Sequence, residues 1–216
     1  MSASRLPEDL ERLLHDLRGP LNALGMHAEV LKRSVGDPAD ADSVRTIQQE
    51  VERLADMLGA AMHVIALQRG ETRRVNLRAL VEQAVEDQRL KDVVVAGGPW
   101  PDVVADTALL TRAIGNLLAN AVEATHAAGP GTRPPEVSTA PEPNGGVALV
   151  VRDFGAGFRS TNPKLLIRLR ASTKPGHQGL GLVTADRIAR LHGGSLRFSA
   201  PGGGAQTTLV LPPPSR

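Results

Sequence analysis

Apolar residues fall into two regimes along the chain. Between residues 6 and 69 they recur at alternating spacings of four and three. Leu10, Leu14, Leu17, Leu21, Leu24, Ala28 and Leu31 form one series; Val44, Ile47, Val51, Leu54, Leu58, Ala61 and Ile65 form a second. A heptad seam sustained this way predicts two long helices. Gly36-Asp37-Pro38-Ala39 interrupts the pattern, and Asp42 or Ser43 is placed to cap the second helix. Two helices joined by a short turn form an antiparallel hairpin. A lone hairpin leaves much of its apolar stripe wet, so two hairpins are expected to pair as a four-helix bundle, making the protein a homodimer.

Near Gly70 the heptads stop. A helical pattern from Leu77 to Arg89 leads to a β-like run, Val93-Val94-Val95. A second helix is predicted over Thr107 to Ala128, followed by a loop rich in Gly and Pro from Gly129 to Pro135. Strand-like segments ending in Val147 to Arg152 come next, then a helix from Gly181 to His192 and two closing strands around Leu196 and Leu209. This mixture predicts an α/β sandwich with helices on one face of a mixed sheet. The expected class is α+β: a helical hairpin over residues 1–70 that forms a dimeric bundle, then an α/β sandwich over 71–216.

Composition narrows the function. The sequence has no cysteine, which excludes disulfides and thiolate metal sites. Its 25 Lys and Arg are interleaved with 23 Asp and Glu, for a net charge of +2, and it holds three Phe, one Trp and no Tyr. Nucleic-acid binding is therefore not expected. No apolar run approaches the length of a membrane span, and Met1 to Asp9 has no signal-peptide core. A cytoplasmic protein without direct membrane insertion is expected. Any input would come from a separate sensor protein or from a segment outside this sequence.

Four constellations carry candidate chemistry. The first is His15-Asp16-Leu17-Arg18-Gly19-Pro20-Leu21-Asn22. His15 lies about 100° around the helix from the Leu14 seam position. Pro20 deprives the Asp16 carbonyl of its helical partner, so a kink is expected one turn beyond His15. Imidazole is a fair nucleophile near neutral pH, and a carboxylate beside it can hold a tautomer or take a proton. A lone surface histidine would be unremarkable. The second is Gly115-Asn116-Leu117-Leu118-Ala119-Asn120-Ala121-Val122-Glu123, with Asn116 and Asn120 on one helix face. Asparagine is a poor helix former, whereas its amide oxygen suits a hard cation such as Mg²⁺ carried on phosphates. The third, Asp153-Phe154-Gly155-Ala156-Gly157, ends a strand with a carboxylate able to accept from an exocyclic amine. Its two glycines permit close backbone approach. The fourth, Ser172 to Leu182, places Lys174, Gly179, Leu180 and Gly181 before a helix, where free N–H groups and the helix dipole suit phosphate.

In this order and spacing, the four motifs resemble those of the sensor histidine kinases of two-component systems over nearly the whole chain. His15-Asp16-Leu17-Arg18-x-Pro20-Leu21 matches that family's phosphoacceptor box and Asn116 to Ala121 its N box. Asp153-x-Gly155-x-Gly157 and Gly179-Leu180-Gly181-Leu182 match its two glycine boxes. The resemblance implies a dimerisation and phosphotransfer hairpin followed by a Bergerat-type ATP-binding domain. By that likeness His15 accepts phosphate with Asp16 as acid/base helper. Asn120 holds Mg²⁺, Asn116 assists at the phosphates, and Asp153 reads adenine. Gly155, Gly157, Lys174, Gly179, Leu180 and Gly181 shape the lid and phosphate site. The phosphohistidine would donate to an aspartate of a response-regulator receiver domain.

The chain also departs from the family. Leu165-Leu166-Ile167-Arg168-Leu169 stands where a Phe-rich box is usual, and the stretch between Gly157 and Gly179 is short. Gly19 stands where many members carry Thr or Asn, which argues against side-chain-assisted dephosphorylation of the partner. Two other functions compete. A hydrolytic ATPase of the same superfamily would carry a Glu at position 116. An ATP-independent phosphotransferase or scaffold with a degenerate ATPase-like domain would typically lose the Asn, Asp and Gly residues kept here. His27, His63, His126, His177 and His192 lack metal-like pairing and read as ordinary residues, as does Glu123.

Overall fold

The computed structural model describes residues 8–33, 39–158, 161–162, 166–167 and 180–213. It contains two compact units that divide between Ala66 and Leu67. The first holds two helices, α1 (Glu8–Arg33) and α2 (Ala39–Ile65). Helix α1 continues through Pro20, which is buried, while Gly19 beside it is exposed. Asp42 and Ser43 do not cap α2. The chain is already helical at Ala39, so Asp42 lies inside the first turns and its carboxylate pairs with Arg45 at 3.3 Å. Within the heptads, the two seam positions have different environments. Leu17, Leu24 and Leu31 on α1 and Ile47 and Leu54 on α2 are half-buried, and Ala61 is buried. The alternate positions stay open: Val44, Val51, Leu58 and Ile65, seven apart, remain 44%, 51%, 46% and 38% exposed, and Leu21 is 55% exposed.

The second unit is the predicted sandwich. A five-stranded sheet runs in the order β2 (Val94–Val95), β4 (Glu136–Pro141), β5 (Val147–Arg152), β7 (Gln206–Leu211), β6 (Ser195–Ser199). The β2–β4 pair is parallel and the others are antiparallel. The sheet packs on α3 (Leu77–Asp87), α4 (Thr107–Ala127) and α5 (Gly181–Leu191). Alternation along β5 and β7 sends Leu149, Val151 and Leu209 into a core shared with Ile114, Leu117, Leu118 and Ile188. Two strands were not anticipated: β1 (Arg73–Asn76) pairs antiparallel with β3 (Asp102–Ala105) as a separate ribbon. That ribbon feeds α3 and α4, and both helices begin with a side-chain cap. Asn76 accepts from the Arg78 N–H at 3.0 Å, and Asp106 accepts from the Leu109 N–H at 3.1 Å.

Candidate functional site

Helix α4 organises the site. Leu117, Leu118 and Ala121 are buried, which turns Asn116 and Asn120 toward another face, half-buried and exposed respectively. Ala124 continues that face one turn on. Both glycine boxes abut it. A Cβ on Gly181, the first residue of α5, would meet the Asn120 amide at 3.4 and 3.5 Å and Asn116 Cβ at 3.7 Å. The N-terminus of α5, whose first N–H groups have no intrahelical acceptor, therefore lies against the two asparagines. A Cβ on Gly155 would sit 2.5 Å from the Ala124 carbonyl oxygen. Gly155 is thus required by α4 itself, which is a different reason from the ligand approach expected from sequence. Gly157 has φ +75, and a Cβ there would be 2.9 Å from the Gly204 carbonyl oxygen.

Asp153 ends β5 and is buried. Its Oδ1 accepts from the Gly155 N–H at 3.0 Å and the Ala205 N–H at 3.2 Å, and its own N–H donates to the Ala205 carbonyl at 2.9 Å. Among the described residues Oδ2 takes no hydrogen bond, so this buried carboxylate keeps one acceptor for a ligand amine. Leu180 is half-buried. Lys174 and Gly179 lie outside the described residues. His15 and Asp16 are placed on α1, but their side-chain surroundings fall outside the described part. Two clefts, of about 420 and 590 Å³, lie beside Pro99 and Val147 and beside Arg73 and Gln83, and neither includes Asn116, Asn120 or Asp153. Lining by α4's asparagine face fits nucleotide chemistry better than cleft size does.

Two important residues escaped the sequence reading. His192 is not an ordinary surface histidine: it is buried, accepts the Asp106 N–H on Nε2 at 3.0 Å and lies 2.8 Å from the Ile188 carbonyl through Nδ1. Both contacts are hydrogen bonds only in the neutral ring with its proton on Nδ1. Asp106 caps α4 and also accepts the Gly70 N–H on Oδ2 at 2.9 Å. Burial pushes its carboxyl up. The N–H donors of Leu109, Gly70 and Ala108 outweigh burial and hold it below the ordinary carboxylate value. The signal in sequence was the N-cap pattern of an Asp before Thr-Ala-Leu-Leu. Glu123 is half-buried rather than fully solvated.

The family profile described as His Kinase A (phospho-acceptor) domain matches residues 10–64. The profile described as histidine kinase-, DNA gyrase B- and HSP90-like ATPase matches residues 105–215. The chain belongs to the two-component sensor histidine kinases. It is similar to the signal transduction histidine-protein kinase AtoS of Escherichia coli (26% identical over 96% of this chain and 35% of that protein). It is also similar to the sensor-like histidine kinase SenX3 of Mycolicibacterium smegmatis (30% identical over 92% of this chain and 55% of that protein). The chain thus spans between about a third and somewhat over half of the length of these relatives. Among solved structures it resembles the mycobacterial sensor histidine kinase MprB, with a TM-score of 0.55 and 27% identity over 67% of this chain and 99% of that one. The ATP-binding domain of PrrB from Mycobacterium tuberculosis matches with a TM-score of 0.53 and 26% identity, over 68% of this chain and all of that one. Membership in the family implies use of ATP. Among the described residues no helix is long and apolar enough to cross a membrane.

Proposed function

We propose that this histidine kinase core transfers the γ-phosphoryl group of ATP to His15 and then to an aspartate of a response-regulator receiver domain. The observation that carries the reading is that Asn116, Asn120, the N-terminus of α5 and the Gly155 turn, which holds the buried Asp153, meet along one face of α4. In the first step a His15 ring nitrogen bonds to the γ-phosphorus, the bond from phosphorus to the β,γ-bridging oxygen breaks, and ADP leaves. The ring proton passes to Asp16 or to water. Asp153 accepts from the adenine amine, and the N–H groups of α5 with Lys174 balance the phosphate charge. The single amide oxygen that Asn120 presents fits Mg²⁺, which keeps waters and phosphate oxygens for most of its ligands. When bound there, the ion would neutralise charge on the phosphates.

The hairpin is assigned as the dimer interface. The stripe of Val44, Val51, Leu58 and Ile65 with Leu21 leaves apolar area in water, and each such side chain gains about 1.5–3 kcal/mol on full burial. We further assign residues 1–70 to dimerisation and phosphotransfer, 71–216 to nucleotide binding, and the protein to the cytoplasm. The test is incubation with γ-labelled ATP and Mg²⁺ alongside His15→Ala and Asn120→Ala. Acid-labile, base-stable label is expected in the unaltered protein and in neither variant. Nucleotide binding without label would favour the phosphotransferase or scaffold reading.

A further inference from the structure

The chain has three phenylalanines, and their placement is uneven. Phe154 lies within the first glycine box and Phe158 directly follows it, and neither belongs to the hydrophobic core of the sandwich. Phe158 meets Phe198 of β6 edge-on, with ring centroids 5.6 Å apart and planes at 86°. Phe154 is in contact with two cations: the Arg133 guanidinium is 4.5 Å and the Arg152 guanidinium 5.0 Å from its ring centroid. Both arginines are anchored in turn. Arg133 pairs with Glu136 at the start of β4 at 2.6 Å, and Arg152 reaches the Gly202 carbonyl at 3.4 Å. Phe154 is also the residue enclosed by the turn in which Asp153 Oδ1 accepts from the Gly155 N–H. The backbone of the turn is itself confined by the 202–204 loop, since a Cβ on Gly204 would collide with the Asp153 carbonyl oxygen.

We propose that Phe154, clamped by Arg133 and Arg152, and Phe158, seated on Phe198, are positioning residues for nucleotide recognition. They hold the Asp153–Gly157 segment in the conformation that presents Asp153 Oδ2. The inference rests on the reading of Asp153 as the contact to adenine. Neither ring touches the ligand in this scheme. Each acts through the population of one backbone conformer. Apparent affinity falls by the fraction of molecules in which that conformer is formed. Loosening the turn until about one molecule in five to ten is competent would weaken ATP binding about five- to tenfold, with turnover at saturating ATP unchanged. The loss would be larger for ATP than for GTP, because guanine offers no amine at the position where adenine has one.

The test is calorimetric titration of the full chain with the β,γ-imido analogues of ATP and GTP, for Phe154→Leu, Phe154→Tyr and Arg133→Gln, with autophosphorylation kinetics in parallel. Expected are about fivefold or more weaker binding of the ATP analogue and a reduced ATP-over-GTP preference for Phe154→Leu. Near-normal behaviour is expected for Phe154→Tyr, which keeps the ring faces. Trp100 fluorescence reports folding; should Phe154→Leu fail to fold, Arg133→Gln carries the test with an expected threefold loss. Binding within twofold of the parent in a folded Phe154→Leu (or, in its place, Arg133→Gln) overturns the clamp and leaves the kinase reading standing. Failure of the parent to bind either analogue overturns both.

Discussion

Replacing Asp106 with Ala removes two hydrogen bonds at once. One is the α4 cap to the Leu109 N–H and the other is the bond to the Gly70 N–H, at 3.1 and 2.9 Å. Loss of an Asp cap to Ala costs about 0.5–2 kcal/mol, and the Gly70 bond adds about 0.5–1.5 kcal/mol. The expected destabilisation of the sandwich is therefore about 1–3.5 kcal/mol. Asp106→Asn keeps an amide oxygen for Leu109 but turns an NH₂ toward the Gly70 N–H, so its loss should be smaller. The single tryptophan makes the assay specific. Trp100 packs against the sandwich core, and its Nε1 donates to the Ala96 carbonyl at 3.1 Å, so its fluorescence in urea follows this unit and not the hairpin.

The pH dependence separates charge from packing. The Asp106 carboxyl is held below its ordinary value in the folded protein, so the unfolded chain binds the extra proton first. A depressed carboxylate contributes stability that is fully present above the unfolded pKa, about 3.9, and is lost as pH falls through the lower folded value. The stability gap between the parent and Asp106→Asn should be constant from neutral pH to about 5 and should close below about 4. A gap that stays level through that acid range, or a cost for Asp106→Ala below about 0.5 kcal/mol, would refute the assignment of Asp106 as a charged double acceptor.

Three other variants test separate parts of the architecture. His192→Phe keeps a ring of similar size but leaves the Asp106 N–H and Ile188 carbonyl without their side-chain partner. It should cost about 1–3 kcal/mol in the same urea assay, and a loss within error of zero would discount the buried pair. Gly155→Ala drives a methyl group into the Ala124 carbonyl. A loss of about 1–3 kcal/mol is expected, together with weaker nucleotide binding by titration, and normal binding would separate Gly155 from the site. Val51→Asp places a charge in the open heptad stripe; sedimentation should register a dimer for the parent and a monomer for the variant, and an unshifted dimer would move the interface elsewhere.

The parts legible in the sequence were those specified by repetition or by local chemistry. The seam from Leu10 to Ile65 repeats often enough to fix two helices, and the short apolar run from Val147 to Val151 marked β5. The β1–β3 ribbon was missed because Arg73-Arg74-Val75-Asn76 carries one apolar residue in four positions, too few to define a period. Its strands exist because they pair with each other and lead into two capped helices. The same limit explains Asp106 and His192, which are 86 positions apart. Either residue alone reads as ordinary, and only the fold makes them partners. Glycine at 155 and 157 was readable as a requirement, but its cause was not, because the obstructing atoms belong to Ala124 and Gly204 on other elements.

Helix α4 joins these observations physically. Its first turn is fixed by Asp106, which also receives Gly70 from the chain that enters the sandwich, and through the Asp106 N–H it meets His192 at the end of α5. Its middle carries Asn116 and Asn120 against the start of α5, and Ala124 supports the turn that holds Asp153. Asn116 is ten residues from the cap, about 15 Å along a helix. Changes at Asp106 should therefore lower stability with little direct effect on the proposed nucleotide site, whereas a change at Gly155 strikes the packing and that site together. The contrast follows from position along one helix: the cap holds α4 to the entering chain, and the asparagine face is the one we propose for the nucleotide.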